Sequence, residues 1–143
     1  MARAKYRNKR VTIDGIVFDS KKEASRYKQL VKREQDGEIS NLQRQVKFTL
    51  IPAQYEFTAQ HKLDPKGEQI SFIMTLDKFE FVKDSFKKVK KRCIEREVCY
   101  IADFVYQENG KTIVEDTKGY RTTDYILKRK MLLFFRNIKI KEI

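Results

Sequence analysis

Three side chains in the second half of this chain have the types and spacing to act together. Asp103 interrupts the apolar run Tyr100-Ile101-Ala102-Asp103-Phe104-Val105-Tyr106. Asp116 and Lys118 lie two residues apart in Thr112-Ile113-Val114-Glu115-Asp116-Thr117-Lys118-Gly119. In extended chain, residues two apart share a face. A half-buried carboxylate is costly unless it is paired, hydrogen-bonded or bound to metal. Two acids and a lysine on adjacent strands are therefore poor decoration but a sensible site for a divalent cation. Mg²⁺ and Mn²⁺ are hard ions that prefer oxygen ligands and keep several waters. Such an ion lowers the pKa of bound water and neutralises charge on a scissile phosphate. A lysine on the same face can position the attacking water or stabilise the crowded phosphate.

The elements that must position these groups are legible. β-branched and aromatic residues flank Gln107-Glu108-Asn109-Gly110-Lys111, whose Asn-Gly pair predicts a tight antiparallel hairpin. Val11 to Phe18 predicts two short strand pieces around an Asp14-Gly15 turn. Ser20 with Glu23 three residues on is a capping-box signal, so a helix is expected from about Lys21 to Asp36, closed by Gly37. Its apolar stripe is Ala24, Tyr27, Leu30 and Val31. Glu23 has two readings: a helix-capping acid, or a further metal ligand reaching in from that helix.

Leu42 to Thr58 reads as extended chain broken at Pro52, and Ile70 to Leu76 as a strand. The lysine-dense run Asp84 to Arg96 fits a short helix or a twisted ribbon. With Phe79, Phe81 and Phe86 interleaved it could contact nucleic acid, or its phenylalanines could be core and its lysines solvated. Thr122 or Thr123 can cap a helix over about Asp124 to Arg136. The alternating Ile138 to Ile143 predicts a final edge strand with its lysines in solvent.

Bulk properties narrow the class. The 143 residues predict one domain, and 41% hydrophobic residues suffice for a core. A net charge of +12 favours nucleic acid as partner. The absence of an apolar run of membrane length argues against a spanning segment. Residues 1–10 read as a basic, flexible arm. Cys93 and Cys99 lack metal-ligand spacing, which fits a reducing cytoplasmic setting, and the lone His61 supports neither zinc nor a serine triad.

Asp103 followed by Asp116-Thr117-Lys118 resembles the PD-(D/E)xK nuclease superfamily, with Ala102 where that pattern has proline. With Phe18-Asp19-Ser20-Lys21-Lys22-Glu23-Ala24 at the first helix, the chain is similar to small phage-encoded, Holliday-junction-resolvase-like endonucleases. The likeness covers about residues 11–50 and 98–143. It implies an α/β (α+β) fold with a restriction-endonuclease-like core, a mixed central sheet flanked by helices and an insertion of strands around 52–97. It implies Asp103 and Asp116 as metal ligands, Lys118 as the catalytic lysine, Glu23 as an auxiliary acid and the Thr117 carbonyl as a further ligand. Glu115 is expected to face the opposite side. Lys22, Arg26, Lys88, Lys91, Arg121 and Lys128 are the expected nucleic-acid contacts. The implied protein is a Mg²⁺-dependent endonuclease of branched DNA, in phage recombination or replication, cytoplasmic, homodimeric, with Mn²⁺ able to substitute and no small-molecule cofactor. The competing expectation is a catalytically silent nucleic-acid-binding protein on the same fold.

Overall fold

A computed structural model describes residues 9–143. The basic arm expected at residues 1–10 lies almost wholly outside them. Among the described residues the fold is α+β, with three α-helices and a mixed central sheet. The chain divides into two compact units. One comprises the chain up to Phe48 together with Ile101–Ile143; the other is Thr49–Tyr100.

The first unit begins with the hairpin β1 (Val11–Ile13) and β2 (Ile16–Phe18), paired antiparallel. Its turn holds Asp14 at φ 51° and Gly15 at φ 77°, the left-handed pair that matches strand twist in a two-residue hairpin. Helix α1 (Lys21–Gln35) follows. Ser20 Oγ accepts from the Glu23 amide at 3.1 Å and Glu23 Oε2 accepts from the Asp19 amide at 3.2 Å, so the expected cap forms. The central sheet has the order β3 (Ser40–Ile51), β7 (Val98–Glu108), β8 (Lys111–Asp116), β9 (Ile140–Glu142). β7 and β8 run antiparallel, while β8 and β9 run parallel, joined through α3 (Thr123–Arg136). Asn109 (φ 50°) and Gly110 (φ 73°) make the β7–β8 turn.

Leu30, Ile39, Phe104 and Tyr106 form the buried cluster under α1, with Tyr27, Leu42 and Ile113 against it. At about 1.5–3 kcal/mol for each large apolar side chain buried, this cluster is a principal stabiliser of the unit. Phe104 pairs with Glu115 across the hairpin, so Glu115 shares the α1 face. Asp103 and Asp116, one residue out of step with them, face the other way.

The last strand is at the sheet edge with both lysines exposed, as expected, and Lys141 also extends its amine toward Tyr106 Oη at 3.5 Å and Glu115 at 3.9 Å. Glu142 accepts from Arg121 Nε at 2.7 Å, Arg129 at 2.8 Å and Tyr125 Oη at 2.8 Å. Arg121 first, then Arg129 and Tyr125, hold its carboxyl from the ordinary 4.5 down to about 2. A depressed carboxyl adds stability that is complete above its unfolded pKa and disappears as pH falls toward the folded value. Glu142→Gln should therefore flatten the loss of thermal stability between about pH 4.5 and pH 2, measured by melting temperatures across that range.

The second unit contains β4 (Gln54–His61), β5 (Gln69–Met74), α2 (Leu76–Val82), a 3-10 turn at Lys83–Ser85 and β6 (Phe86–Glu95). Its sheet order is β5-β4-β6. The helix α2 escaped the sequence reading because Leu76–Val82 is too short for a helical period to stand out. The lysine-dense run is a strand. Phe57 is fully buried, stacked on Phe79 at 4.0 Å and near Phe72 at 5.7 Å, and Phe72 meets Phe86 at 5.0 Å. Phe79 and Phe86 are thus packing residues, whereas Phe81 is exposed.

Candidate active site

The site is built where β7, the end of β8 and the first turn of α1 meet. Asp103 Oδ2 accepts two hydrogen bonds from Thr117, from its amide at 2.9 Å and its hydroxyl at 2.8 Å. Those bonds fix one carboxylate oxygen against the residue that follows Asp116. The other oxygen, Oδ1, faces Gln45 Nε2 at 3.4 Å, and the same amide nitrogen donates to Glu23 Oε1 at 3.1 Å. One amide therefore bridges two carboxylates from α1 and β7. Burial, and next the charge of Asp103, raise the Glu23 carboxyl above its ordinary value. The capping reading of Glu23 holds, since Oε2 accepts from the Asp19 amide, while Oε1 accepts from the Gln45 side chain.

Asp116 is fully buried, and Lys118 Nζ lies 3.0 Å from its Oδ1. β8 ends at Asp116, so Lys118 reaches back from beyond the strand end rather than along a regular pleat. Its amine also lies 4.8 Å from the centre of the Tyr125 ring on α3, a cation–π distance. A cleft of about 480 Å³ opens beside it, lined by Ser20, Lys22, Thr117, Lys118, Tyr120 and Thr122 among others.

Glu115, the neighbour one residue earlier, has a different task. It is fully buried and accepts from Arg26 Nη2 at 2.9 Å and Tyr106 Oη at 2.8 Å. Burial, with the Glu115 bond behind it, pushes the Tyr106 phenol up to about 12. This corrects the expectation for Arg26, whose guanidinium serves a buried ion pair rather than a phosphate. Three other expected contacts also have partners within the protein. Lys22 Nζ donates to the Lys118 carbonyl at 3.3 Å, Arg121 pairs with Glu142, and Lys128 lies 3.1 Å from Asp124 one turn away. Lys88 is exposed in the second unit, and Lys91 Nζ lies 5.3 Å from the Tyr55 ring centre.

Sequence reasoning missed Gln45 and Arg44. The Arg44 guanidinium lies over Phe18 at 4.2 Å and its Nη2 lies 4.0 Å from Glu23 Oε1. Gln45 has φ 50° inside β3, a left-handed conformation that costs a non-glycine residue about 1 kcal/mol or more and is often found at functional sites. Nothing in Gln43-Arg44-Gln45 distinguishes it from an ordinary polar strand.

Taken over its length, the chain matches one family in two overlapping stretches, residues 3–65 and 53–143. It belongs to the family described as Protein of unknown function (DUF1064). No curated protein and no solved structure matches this DUF1064 chain.

Among the described residues, no group of three or more His, Cys, Asp or Glu side chains converges as a metal cage. Mg²⁺ does not require one, being commonly held through one or two carboxylates with water completing its shell. Glu23 and Asp103 present two carboxylates that share the Gln45 amide.

Proposed function

We propose that this DUF1064 protein is a Mg²⁺-dependent DNA endonuclease on a restriction-endonuclease-like core, acting on branched or otherwise structured DNA. The single observation that carries the reading is the Gln45 amide shared by Glu23 and Asp103, with Asp103 bonded to Thr117 between Asp116 and Lys118. Residues from four separated stretches of sequence thereby join one polar neighbourhood. A divalent ion held there by Asp103, Asp116, Glu23 and the Thr117 carbonyl would supply charge neutralisation and an acidified water. The chain's own groups do the rest. Gln45 and Thr117 orient the Glu23 and Asp103 carboxylates, Tyr125 holds the Lys118 amine, and Lys118 donates to the non-bridging phosphate oxygen where negative charge develops.

Cutting a junction symmetrically requires two sites related by a two-fold axis, so the reading includes a homodimer. The exposed apolar side chains of α3, with Phe134 84% and Leu127 57% exposed, are suited to such a contact. The net charge of +12, which favours nucleic acid whether or not it is cut, supports a second reading, a nucleic-acid-binding protein without chemistry.

A cleavage panel separates the two. Four-way junction, flap, linear duplex and single strand are incubated with the protein and Mg²⁺ or Mn²⁺, alongside calorimetric titration with Mn²⁺. Junction or flap cleavage with a Mn²⁺ site is the expected result. Salt-sensitive binding with no cleavage of any substrate and no Mn²⁺ heat would establish the second reading instead.

A further inference from the structure

The second unit carries a strand whose register is broken in a way that gathers positive charge. β4 and β6 pair Glu56 with Arg92, Phe57 with Lys91, and Thr58 with Lys90, but the next partners are Gln60 with Lys87 and His61 with Phe86. Two residues of β6, Lys88 and Val89, therefore stand opposite Ala59, and Lys88 sits at φ 52°. This is a β-bulge, a device that re-aims the side chains beyond it. In an unbroken strand Lys87 and Lys90, three apart, would face opposite sides. With the bulge, Lys87, Lys90 and Arg92 all share the face of Glu56, Thr58 and Gln60.

Contacts confirm which face is which. Thr58 Oγ1 meets Ser71 Oγ at 3.0 Å and Arg92 Nη2 meets Glu56 at 2.7 Å on one side. On the other, Phe57 stacks on Phe79 of α2 and Lys91 reaches Tyr55. The Lys87–Lys90–Arg92 face is the one α2 leaves uncovered, and all three cations are exposed. The charge is local. The unit as a whole has ten Lys and Arg against eight Asp and Glu, yet β6 alone has five cations against one acid, Glu95. A lysine held in a left-handed conformation is a local cost with no packing return, since Lys88 is exposed.

We infer that the uncovered face of β4–β5–β6 is a docking surface for the backbone of double-stranded DNA, separate from the carboxylates that would cut it. The inference rests on the proposed function for its choice of DNA. Phe57, Phe72, Phe79 and Phe86 pack together on the opposite side and the exposed Phe81 lies on α2, so the face offers cations and hydroxyls to phosphates but no aromatic platform for unstacked bases. It should read no sequence and prefer duplex over single strand.

The test uses the full chain carrying Asp116→Asn, so that DNA is bound and not cut, with affinity for a short duplex measured by fluorescence anisotropy over a range of salt. Lys87→Gln with Lys90→Gln should weaken binding about tenfold at low salt and reduce the slope of log affinity against log salt by about 1.8, two phosphate contacts at ~0.9 each. Lys66→Gln with Lys78→Gln, the same charge change elsewhere in the unit, should leave the slope unchanged. Superimposable melting curves establish that both pairs are folded. Parent-like binding by the β6 pair, or equal losses in both pairs, would overturn the inference alone. So would a loss confined to single strands or to duplex RNA. A parent that binds no DNA at any salt would overturn the proposed function and the inference together.

Discussion

Replacing Asp116 by asparagine is expected to lower Mg²⁺-dependent cleavage about a thousandfold or more, the scale seen when one group acting on developing charge is lost. DNA binding should stay within a few-fold of the parent. Asparagine keeps the size of the side chain, so the fully buried position stays filled. The change removes the negative charge opposite Lys118 and the anionic oxygens that a hard cation prefers. Cleavage rates and anisotropy on one junction substrate measure both quantities, and wild-type cleavage by Asp116→Asn would sink the nuclease reading. Loss of binding with loss of cleavage would instead mean that the substitution had damaged the fold, which a melting curve would reveal.

The residue one step earlier should behave in the opposite manner. Glu115→Gln leaves the Arg26 guanidinium beside a neutral amide in a buried site, and breaking a buried ion pair on one side costs roughly 3–5 kcal/mol. The melting temperature should fall by about 10 °C or more. The double replacement Arg26→Met with Glu115→Leu should be less damaging than Glu115→Gln, because no charge is then left buried without its counterpart. Thermal melts of the three proteins decide the matter; additive losses would show that the pair does not act as a unit. Adjacent positions on β8 thus divide the labour: Asp116 for proposed chemistry, Glu115 for holding α1 to the sheet.

That division was visible in the sequence because a strand alternates, and the register fixed by the Asn109-Gly110 turn put Asp116 and Glu115 on opposite faces. The capping box at Ser20–Glu23, both hairpin turns and the α3 cap at Thr122 were legible for the same reason: each is a local signal with a local cause. What was not legible depends on distance. Arg26 meets Glu115 across 89 positions of chain, and no property of the α1 face marked one arginine as buried and its neighbours as exposed. Gln45 reaches Asp103 across 58 positions and adopts a backbone angle that its residue type disfavours. In β6, period-two reasoning puts Lys88 and Lys90 together and leaves Lys87 out. The bulge reverses that assignment, and its position depends on the partner strand.

The chain passes from β3 into the second unit and comes back along β7, and those two strands are neighbours in the central sheet. The 46 residues between Ile51 and Val98 are therefore a loop as far as that sheet is concerned. As slack chain, such a loop resists closure in proportion to the logarithm of its length; as a folded body it behaves like a link of a few residues. On that scaling the difference is about 2 kcal/mol. The folded second unit thus acts as an entropic splint for the pairing of β3 with β7, and loosening the Phe57 cluster should weaken that pairing.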